Sequence, residues 1–396
     1  MHISLDSALG RQRRLNSVGE SVLQIAPNAA AAYSLRSLTG GDPKVVRVRR
    51  DVDNAERDFT ASGISSGALV DFATSGNGVF ANTGYESFTN ASASGFTASN
   101  TGSTGFAVSD ILDGVSGDAV SVSFDIDITN GSPGISLRTA LNGGSTASNG
   151  IVYTTSGSKT ATLTGNKGYV GVGFTEGDAP SNFTVSNFKV LGNGFVETWY
   201  DQSGNSKDAT QPTAGSQPKI VDEGSLVTGG IDFDGTDDIG LVTGSFSLTQ
   251  TYSTFSVSHT DDASTSQGVW STAASFDSTF NAAQLFRSDD GFSINSGTTL
   301  TTAGTINYVA DRNYLQTNVV NGGSSSIFVD GATGATGNMG ATNPSGVLIL
   351  GYYKSGSNIQ NLDGAIKELI IYDSDQTSNR AALETNIAAA NGVTLS

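Results

Sequence analysis

The sequence predicts a mainly β protein, built from antiparallel strands packed as sandwiches. Apolar residues alternate with small polar residues over short segments, and Gly, Asn and Ser turns separate these segments. Hydrophobic residues make up 37% of the chain and charged residues only 14%, the reverse of the balance that a disordered chain shows. The 396 residues include 50 glycines, which favours many turns between strands. This length allows about two or three domains.

Composition excludes several classes of protein. The chain has no cysteine, which rules out disulfides, thiolate metal sites and a cysteine nucleophile. It contains no apolar run of about 18 residues, so we expect no membrane-spanning helix. Its first residues lack the uninterrupted apolar stretch of a secretory signal, and we therefore expect that no such signal is present.

Charge is distributed unevenly between a basic N-terminal part and an acidic body. The formal net charge is −17, yet residues 1–50 carry 8 Lys/Arg against 3 Asp/Glu. Residues 1–27 are amphipathic but contain two glycines that weaken a long helix, so we expect a short arm that becomes ordered against a partner. The basic residues of this arm favour docking rather than nucleic-acid binding, because the acidic body would repel phosphate. The candidate docking residues are Arg11, Arg13 and Arg14.

The most distinctive stretch runs from Phe195 to Asp222 and reads FVETWYDQSGNSKDATQPTAGSQPKIVD; the segment IDFDGTDD follows at residues 231–238. An amphipathic strand, a polar Gly/Asn turn and an Asp-rich corner in this order are typical of an antiparallel sandwich. The stretch resembles the concanavalin A-like (laminin-G-type) lectin fold that occurs in many tail and appendage proteins of tailed bacteriophages. The resemblance implies a lectin-like domain in a virion protein.

A second resemblance covers residues 28–72. The segment AAAAYSLRSLTGGDPKVVRVRRDVDNAERDF resembles the opening of the catalytic-domain family of fungal-type α-L-arabinofuranosidases and of phage relatives that share this module. Its pattern predicts a short helix over Ala29–Leu38 and then a strand that contains Val46 and Val48. In that family the opening leads to the WYDQSG strand. We therefore expect residues 28–72 and 193–396 to form one concanavalin A-like lectin domain.

Residues 73–192 separate the two parts of that domain and have their own alternation. Gly/Asn/Ser turns join the alternating segments, which predicts an inserted sandwich resembling a carbohydrate-binding-module jelly roll. The Gly-rich repetition at 95–105 is also compatible with a flexible linker. The predicted strands are Ala119–Thr129, Gly134–Ala140, Ser158–Thr164, Tyr169–Thr175 and Phe183–Leu191.

The C-terminal part predicts further strands and a closing helix. In the last strand Ile366, Leu369 and Ile371 define one face, with a slip at Ile370. A helix over Ser374–Ala390 ends at an Asn-Gly pair, as a C-terminal stop should. The predicted strands are Phe255–His259, Ser326–Asp330, Gly346–Tyr353 and Leu362–Asp373.

Catalytic chemistry has little support in the sequence, and we predict no catalytic residue. A multi-histidine metal site is excluded because the chain has 2 histidines, and no nucleophile elbow accompanies His259. Glycoside hydrolysis needs two carboxylates, and the chain lacks both the E-x-D-x-E strand of laminarinase-type sandwiches and the acidic motifs of the arabinofuranosidase family. The carboxylates considered for this role are Glu197, Asp201, Asp234, Asp237, Asp238, Glu368 and Asp373.

The Asp-rich corner at Asp234, Asp237 and Asp238 has two interpretations. Three carboxylates at this spacing are compatible with a Ca²⁺ site. Alternatively, the Asp side chains cap the turn between two strands. We favour the second interpretation and predict no required cofactor.

Sugar binding requires an exposed aromatic side chain beside hydrogen-bonding groups. Tyr352 and Tyr353 are adjacent, so in a strand they point to opposite faces and one should be exposed. For any single aromatic residue, packing in the core is the alternative. The candidate glycan-binding residues are Tyr352, Tyr353, Trp270, Tyr308 and Tyr314.

These features together predict a non-enzymatic bacteriophage virion protein, assembled in the host cytoplasm. We expect a tail fibre or tail appendage that contacts other virion proteins through its arm and presents lectin-like domains to host-surface polysaccharide. We expect a homotrimer, because fibre proteins of this kind are commonly homotrimers. The alternatives are a capsid decoration or head-fibre protein with no sugar ligand and, third, a glycoside hydrolase.

Overall fold

A computed structural model describes residues 19–51, 53–74, 81–82, 87–92, 94–100, 106–109, 119–131, 135–140, 146–164, 169–174 and 181–396. The proposed docking residues Arg11, Arg13 and Arg14 lie outside these described residues. The predicted fold class is confirmed: the protein is mainly β, with sheets packed face to face and a C-terminal helix.

Within the described residues the α-helices are short apart from the last one. They are α1 (Val22–Ile25), α2 (Ala61–Ser65), α3 (Ala68–Thr74) and α4 (Arg380–Asn391). Three strands precede the inserted segment: β1 (Ala31–Ser34), β2 (Lys44–Arg50) and β3 (Glu56–Thr60). Strands within the inserted segment are β4 (Ala81–Asn82), β5 (Ser87–Ser92), β6 (Gly95–Asn100), β7 (Phe106–Ser109), β8 (Ala119–Asn130), β9 (Ile135–Ala140), β10 (Thr146–Tyr153), β11 (Gly157–Thr164), β12 (Tyr169–Phe174) and β13 (Ser181–Val190).

The remaining strands follow the inserted segment. They are β14 (Gly194–Trp199), β15 (Ala209–Thr210), β16 (Lys219–Asp222), β17 (Ser225–Leu226), β18 (Ile231–Asp234), β19 (Leu241–Ser247), β20 (Tyr252–Ser258), β21 (Gln267–Ala273), β22 (Phe280–Phe286), β23 (Phe292–Asn295), β24 (Thr299–Thr301), β25 (Tyr314–Val320), β26 (Ser325–Val329), β27 (Ala332–Gly337), β28 (Ser345–Leu350), β29 (Tyr352–Ser355), β30 (Asn358–Asn361) and β31 (Asp363–Tyr372).

The main sandwich consists of β1–β3 and β14–β31 and has two antiparallel layers. The first layer is organised around β31, which pairs with β20 along one edge and with β18 and β1, end to end, along the other. β25, β26 and β27 extend this layer beyond β20, while β16, β14, β2 and β3 extend it beyond β18. The second layer has the order β15-β19-β28-β21-β22-β23-β24. β14 also pairs with β15 and so joins the two layers.

The core of the main sandwich lies between these two layers. Its largest side chains include Trp199 from β14, Trp270 from β21 and Phe233 from β18, each almost fully buried. Burying one such side chain contributes roughly 1.5–3 kcal/mol to folding. Tyr33 of β1 packs against Trp199 with ring centroids 5.6 Å apart. The WYDQSG segment thus supplies a central part of this core.

The inserted strands β4–β13 form two five-stranded sheets, with the orders β10-β9-β12-β7-β4 and β11-β8-β13-β6-β5. Among the described strands they hydrogen-bond only with one another. Phe96, Phe124 and Phe183 of one sheet share an apolar cluster with Ile135 of the other, so the two sheets pack as a second sandwich. The predicted strands of this segment are confirmed to within a few residues.

The entry to and the exit from the inserted segment meet at one residue. Gly224 follows β16, and a Cβ atom placed on it would lie 3.1 Å from the side chain of Thr74 and 3.0 Å from that of Leu191. Thr74 ends α3 at the start of the insertion, and Leu191 follows its last strand. We retain 73–192 as the proposed boundaries of the insertion.

The predicted helix over Ala29–Leu38 is wrong. Residues Ala31–Ser34 form β1, which pairs with β31 in the register Ala31↔Ile371 to Ser34↔Glu368. All four residues are buried. Alanine is the strongest helix former, but intrinsic propensity is small per residue, and pairing with a central strand outweighs it here.

The slip in the predicted face of β31 is caused by a β-bulge. Val257 pairs with Glu368, but the next residue of β20 pairs with Ile366, so Lys367 is the extra residue on β31. The bulge places Ile366, Leu369 and Ile371 in the core of the main sandwich. Ile370 and Tyr372 pack instead in a separate cluster with α4.

The predicted arm of residues 1–27 extends too far into the fold. Val22 and Ala26 are buried beside Leu383 and Ile387 of α4. Asn386 of the same helix donates to the carbonyl of Glu20 at 2.6 Å. Residues from 20 onward therefore belong to the packed structure, and a separable arm has to end before them.

The closing helix is present but shorter than predicted. α4 begins at Arg380 rather than at residue 374 and ends at Gly392, whose φ of 70° is the left-handed conformation expected of a C-terminal stop. None of the helices in the described part of the chain has the length and hydropathy needed to cross a membrane.

An ion pair ties the N-terminal part to β31. Glu368 is fully buried and accepts hydrogen bonds from Arg36 Nε and Nη2, both at 2.8 Å, from Ser34 at 3.1 Å and from Asn391 at 3.2 Å. A buried carboxylate without a counter-charge is strongly unfavourable. Arg36 therefore neutralises the one acidic group in the middle of β31.

Replacing Arg36 with alanine tests this dependence. We expect Arg36→Ala to lower the free energy of unfolding by about 3 kcal/mol, because it leaves a buried charge unpaired. Lys44→Ala is the control, since Lys44 pairs with Asp58 but is 62% exposed; its removal should cost less than about 1 kcal/mol. Equal effects of the two substitutions in equilibrium urea unfolding would contradict the assigned role of Arg36.

Candidate functional site

A surface cleft of about 220 Å³ lies between strands β22–β24 and the β29–β30 hairpin. We call it the Tyr353 cleft. Its walls combine aromatic rings, one guanidinium, amides and hydroxyls, and no Asp or Glu lines it. The lining residues are Ser266, Phe280, Leu285, Arg287, Ser293, Asn295, Thr299, Tyr353, Ser355, Asn358 and Gln360.

Two aromatic rings form the apolar part of the cleft. The rings of Tyr353 and Phe280 are 4.6 Å apart between centroids, at an interplanar angle of 41°. Both side chains are partly exposed. Glycines set the position of Tyr353: Gly351 has φ 76° and separates β28 from β29, while a Cβ on Gly268 would lie only 2.4 Å from the Cβ of Tyr353. No larger residue at 268 would leave Tyr353 in place.

The hairpin brings its polar side chains to the same face as Tyr353. In the β29–β30 register Tyr353 pairs with Gln360, and Ser355 pairs with Asn358. Directly opposed residues of an antiparallel pair share a face, and residues two apart on one strand share it as well. The side chains of Ser355, Asn358 and Gln360 make no hydrogen bond to the described residues. They are free to bind a ligand.

The opposite wall is held more firmly. The guanidinium of Arg287 donates to Asp289 at 3.0–3.2 Å, which fixes its plane while Nη1 keeps its donors free. Asn295 donates to Thr299 at 2.7 Å and accepts from the backbone N–H of Gly297 at 3.0 Å. The cleft therefore has one preorganised polar wall and one wall with unengaged polar groups.

Four of the five aromatic residues predicted to bind glycans are buried and face the core. The indole of Trp270 donates to Gln284 at 3.0 Å, and Tyr308 donates to the carbonyl of Arg287 at 2.7 Å. Tyr314 accepts from the backbone of Val309, and Tyr352 donates to Asp277. None of these four rings presents a face to solvent, since each is at most 2% exposed. Tyr353 alone remains as a candidate.

The sequence contained a signal for this cleft that the aromatic residues alone did not reveal. Residues Tyr353–Gln360 read YKSGSNIQ, in which a Ser-Gly-Ser-Asn turn joins two short alternating strands. Reading it as a hairpin places Asn358 and Gln360 beside Tyr353. Phe280 and Arg287 come from a distant strand, and no local pattern indicates them.

The Asp-rich corner is organised by hydrogen bonds to its own backbone. Asp234 Oδ1 accepts from the N–H groups of residues 236, 237 and 238 at 2.8–3.2 Å, and Asp238 Oδ2 accepts from the N–H of Asp234 at 3.0 Å. These bonds bear out the interpretation that the Asp side chains cap the turn. One oxygen from each of Asp234, Asp237 and Asp238 lies within 4.8 Å of the others, so these residues would be the ligands of any Ca²⁺ there.

Burial and mutual repulsion alter the acidity of this region. Burial, together with the charge of Asp234, raises the pKa of Asp238 to about 7. Burial and the charge of Asp261 raise the pKa of Asp232 to about 6. His259 bridges Asp261 and Asn313, with 3.1 Å to each, and so acts as an ordinary structural histidine.

The other carboxylates considered for hydrolysis have structural roles. Asp201 accepts hydrogen bonds from the backbone N–H groups of Ala32, Ser203 and Lys207, which fixes the WYDQSG turn against β1. Asp373 accepts from the N–H of Thr249. Glu197 hydrogen-bonds Thr198 and lies 3.8 Å from Arg47.

Comparison with known proteins gives structural neighbours at low similarity. The Trypanosoma rangeli sialidase in complex with 2,3-difluorosialic acid is 13% identical, with a TM-score of 0.35, over 50% of this chain and 32% of the sialidase. A SAP-like pentraxin from Limulus polyphemus is 13% identical over 38% of this chain and 78% of the pentraxin, with a TM-score of 0.31. The CBM40 of Ruminococcus gnavus IT-sialidase, bound to α2,3-sialyllactose, is 10% identical over 37% of this chain and 96% of the module, with a TM-score of 0.28.

This chain spans between 30% and 63% of the length of the Trypanosoma rangeli sialidases that it matches. No protein-family model matches the sequence, and no curated protein sequence matches it.

The raised pKa of Asp238 predicts a pH-dependent stability. An Asp side chain titrates near 3.9 in the unfolded chain, so folding favours the protonated form between about pH 4 and the folded pKa of about 7. This contribution is fully present below about pH 4 and is lost as the pH rises through 7. Asp238→Asn keeps an oxygen that can accept from Asp234 and removes the titration. We expect it to stabilise the protein by roughly 1–2 kcal/mol at pH 8 and to change little at pH 4.

Thermal unfolding between pH 4 and pH 8 checks this expectation. The Asp127→Asn variant serves as the control, because Asp127 is an exposed strand residue of the inserted sandwich. It should keep the pH dependence of the wild type. If the melting temperature of Asp238→Asn differed between pH 4 and pH 8 by as much as that of the wild type, the raised pKa assigned to Asp238 would be wrong.

Proposed function

We propose that this protein is a non-enzymatic glycan-binding protein and that the Tyr353 cleft holds its sugar ligand. The observation that carries the proposal is the partly exposed Tyr353–Phe280 ring pair, placed beside the unengaged polar side chains of Ser355, Asn358 and Gln360. Sugar rings present C–H faces, which pack on aromatic side chains, and hydroxyl groups, which bind amides and guanidinium groups.

The composition of the cleft favours binding over hydrolysis. Glycoside hydrolysis generally uses two carboxyl groups about 5–10 Å apart on either side of the scissile bond. No carboxylate lines the cleft, and the nearby Asp289 is engaged by Arg287. The volume of about 220 Å³ is below the roughly 300–1,000 Å³ of drug-sized pockets, so the cleft accommodates one or two sugar units of a longer chain.

The biological setting that we propose is the virion of a tailed bacteriophage. Support comes from the segment at residues 195–222, which resembles phage appendage proteins, and from the basic N-terminal arm on an acidic body. In this proposal the protein is a tail fibre or tail appendage, assembled as a homotrimer in the host cytoplasm. The arm contacts other virion proteins, and the cleft contacts host-surface polysaccharide.

Replacing Tyr353 with alanine tests the binding site. We expect Tyr353→Ala to weaken binding to host-surface polysaccharide by at least tenfold, because it removes half of the stacking surface. Phe328→Ala is the matched control: Phe328 is also partly exposed and packs under Arg380, 3.8 Å from its ring centroid, away from the cleft. Glycan arrays identify a ligand, and titration calorimetry then measures the affinity of the wild type and of both variants for it.

Two results would contradict the proposal. Unaltered affinity of Tyr353→Ala would place the sugar elsewhere. Release of reducing ends from the polysaccharide by the wild-type protein would make it a hydrolase.

Removing residues 1–18 tests the proposed virion attachment. We expect the truncated protein to keep its melting temperature within about 2 °C, because the buried contacts of Val22 and Ala26 remain. We also expect it to be lost from purified particles, measured by immunogold labelling with an antibody against residues 193–396. Label on the tail supports the appendage role, whereas label over the head supports a capsid decoration without a sugar ligand. Retention of the truncated protein on particles would contradict docking through the arm.

A further inference from the structure

A second, larger recess lies at the β-bulge of β31, formed by α2, the segment after β17 and the C-terminal end of α4. We call it the Lys367 groove. Its volume is about 410 Å³, within the roughly 300–1,000 Å³ of small-molecule sites. Most of its walls are apolar and come from Leu35, Ala61, Ile64, Leu226 and Val227. These side chains are only partly buried, so the groove leaves apolar surface open to solvent.

The single unpaired charge of the groove belongs to Lys367. Its ammonium group has no hydrogen-bond or ion-pair partner among the described residues, and burial alone lowers its pKa. The other cation in the groove, Arg36, is already neutralised by Glu368. The groove thus carries a local charge of +1 in a chain whose net charge is −17.

Local geometry fixes Lys367 at this place. It is the extra residue of the bulge in β31, so it falls outside the regular alternation of that strand. Gly230, on the neighbouring segment, has φ 123°, and a Cβ there would lie 2.4 Å from the carbonyl oxygen of Ile366 and 2.8 Å from the Cα of Lys367. Glycine is therefore required at 230 for the backbone to pass so close to the bulge.

We propose that the Lys367 groove binds a small organic carboxylate with an apolar body. The apolar walls bury the body of such a ligand, and its carboxylate pairs with the partly buried Lys367. The bound ligand excludes water from this contact, which strengthens the ion pair. Neutral apolar molecules would leave the ammonium group unpaired, and amines would be repelled by it. This site is independent of the proposed sugar site in the Tyr353 cleft.

Titration calorimetry with octanoate and, as the uncharged comparison, 1-octanol tests the proposal on the full-length protein. We expect saturable binding of one octanoate per chain. Lys367→Met removes the charge and keeps roughly the length of the side chain. It should therefore weaken the affinity for octanoate at least tenfold and change the affinity for 1-octanol by less than twofold. Lys44→Met, at an exposed lysine outside the groove, should change neither.

Ala61→Phe provides a second variant that does not depend on the bulge. It fills the groove from the wall formed by α2 and should abolish the binding of both probes, while Tyr353→Ala should leave octanoate binding intact. Thermal unfolding of each variant establishes that it is folded. The proposal is overturned by any of three results: no saturable octanoate binding by the wild type, unchanged octanoate affinity of Lys367→Met, or unchanged affinity of Ala61→Phe.

Discussion

Strand β31 makes hydrogen bonds along both edges and packs on both faces, and the main sandwich is assembled around it. Segments from residues 31–34, 231–234 and 252–258 converge on it, although they are far apart in the chain. This convergence requires an apolar strand, yet β31 carries Glu368 in its middle. Arg36 offsets the cost of burying that carboxylate and, with Asn391, connects the strand to the start and end of the fold.

Regular alternation predicts about a third of the described strands, among them the central strand β31, and the Asn-Gly stop predicts the closing helix. It failed where a distant partner decides the structure. The alanine-rich segment before Leu35 became a strand because β31 offers it an edge. Residue type predicts Trp270 and Tyr308 as sugar-binding aromatics, but it carries no information on which face of a strand meets the core, and both are buried. Tyr353 was identified by the alternation of two adjacent tyrosines, whereas its neighbour Phe280 came from long-range pairing that a single sequence does not encode locally.

Both candidate ligand sites occur where a strand departs from regular geometry. The left-handed Gly351 ends β28 and redirects the chain into the hairpin that carries Tyr353. The bulge at Lys367 leaves a lysine beside a largely apolar recess. A regular antiparallel sheet offers alternating side chains at fixed spacing, and a concave site needs residues that break this spacing. Such positions are also where sequence patterns are weakest, since one residue shifts the alternation beyond it.

Thr74 and Leu191 lie close together beside Gly224, and this arrangement is relevant to the evolution of the protein. The entropic cost of inserting a segment depends on how far apart its ends are held, and it grows only slowly with the length between them. Because Thr74 and Leu191 both lie beside the same glycine, the segment between them has neighbouring ends. That geometry would suit exchange of the segment for another unit with neighbouring termini, or for a short turn.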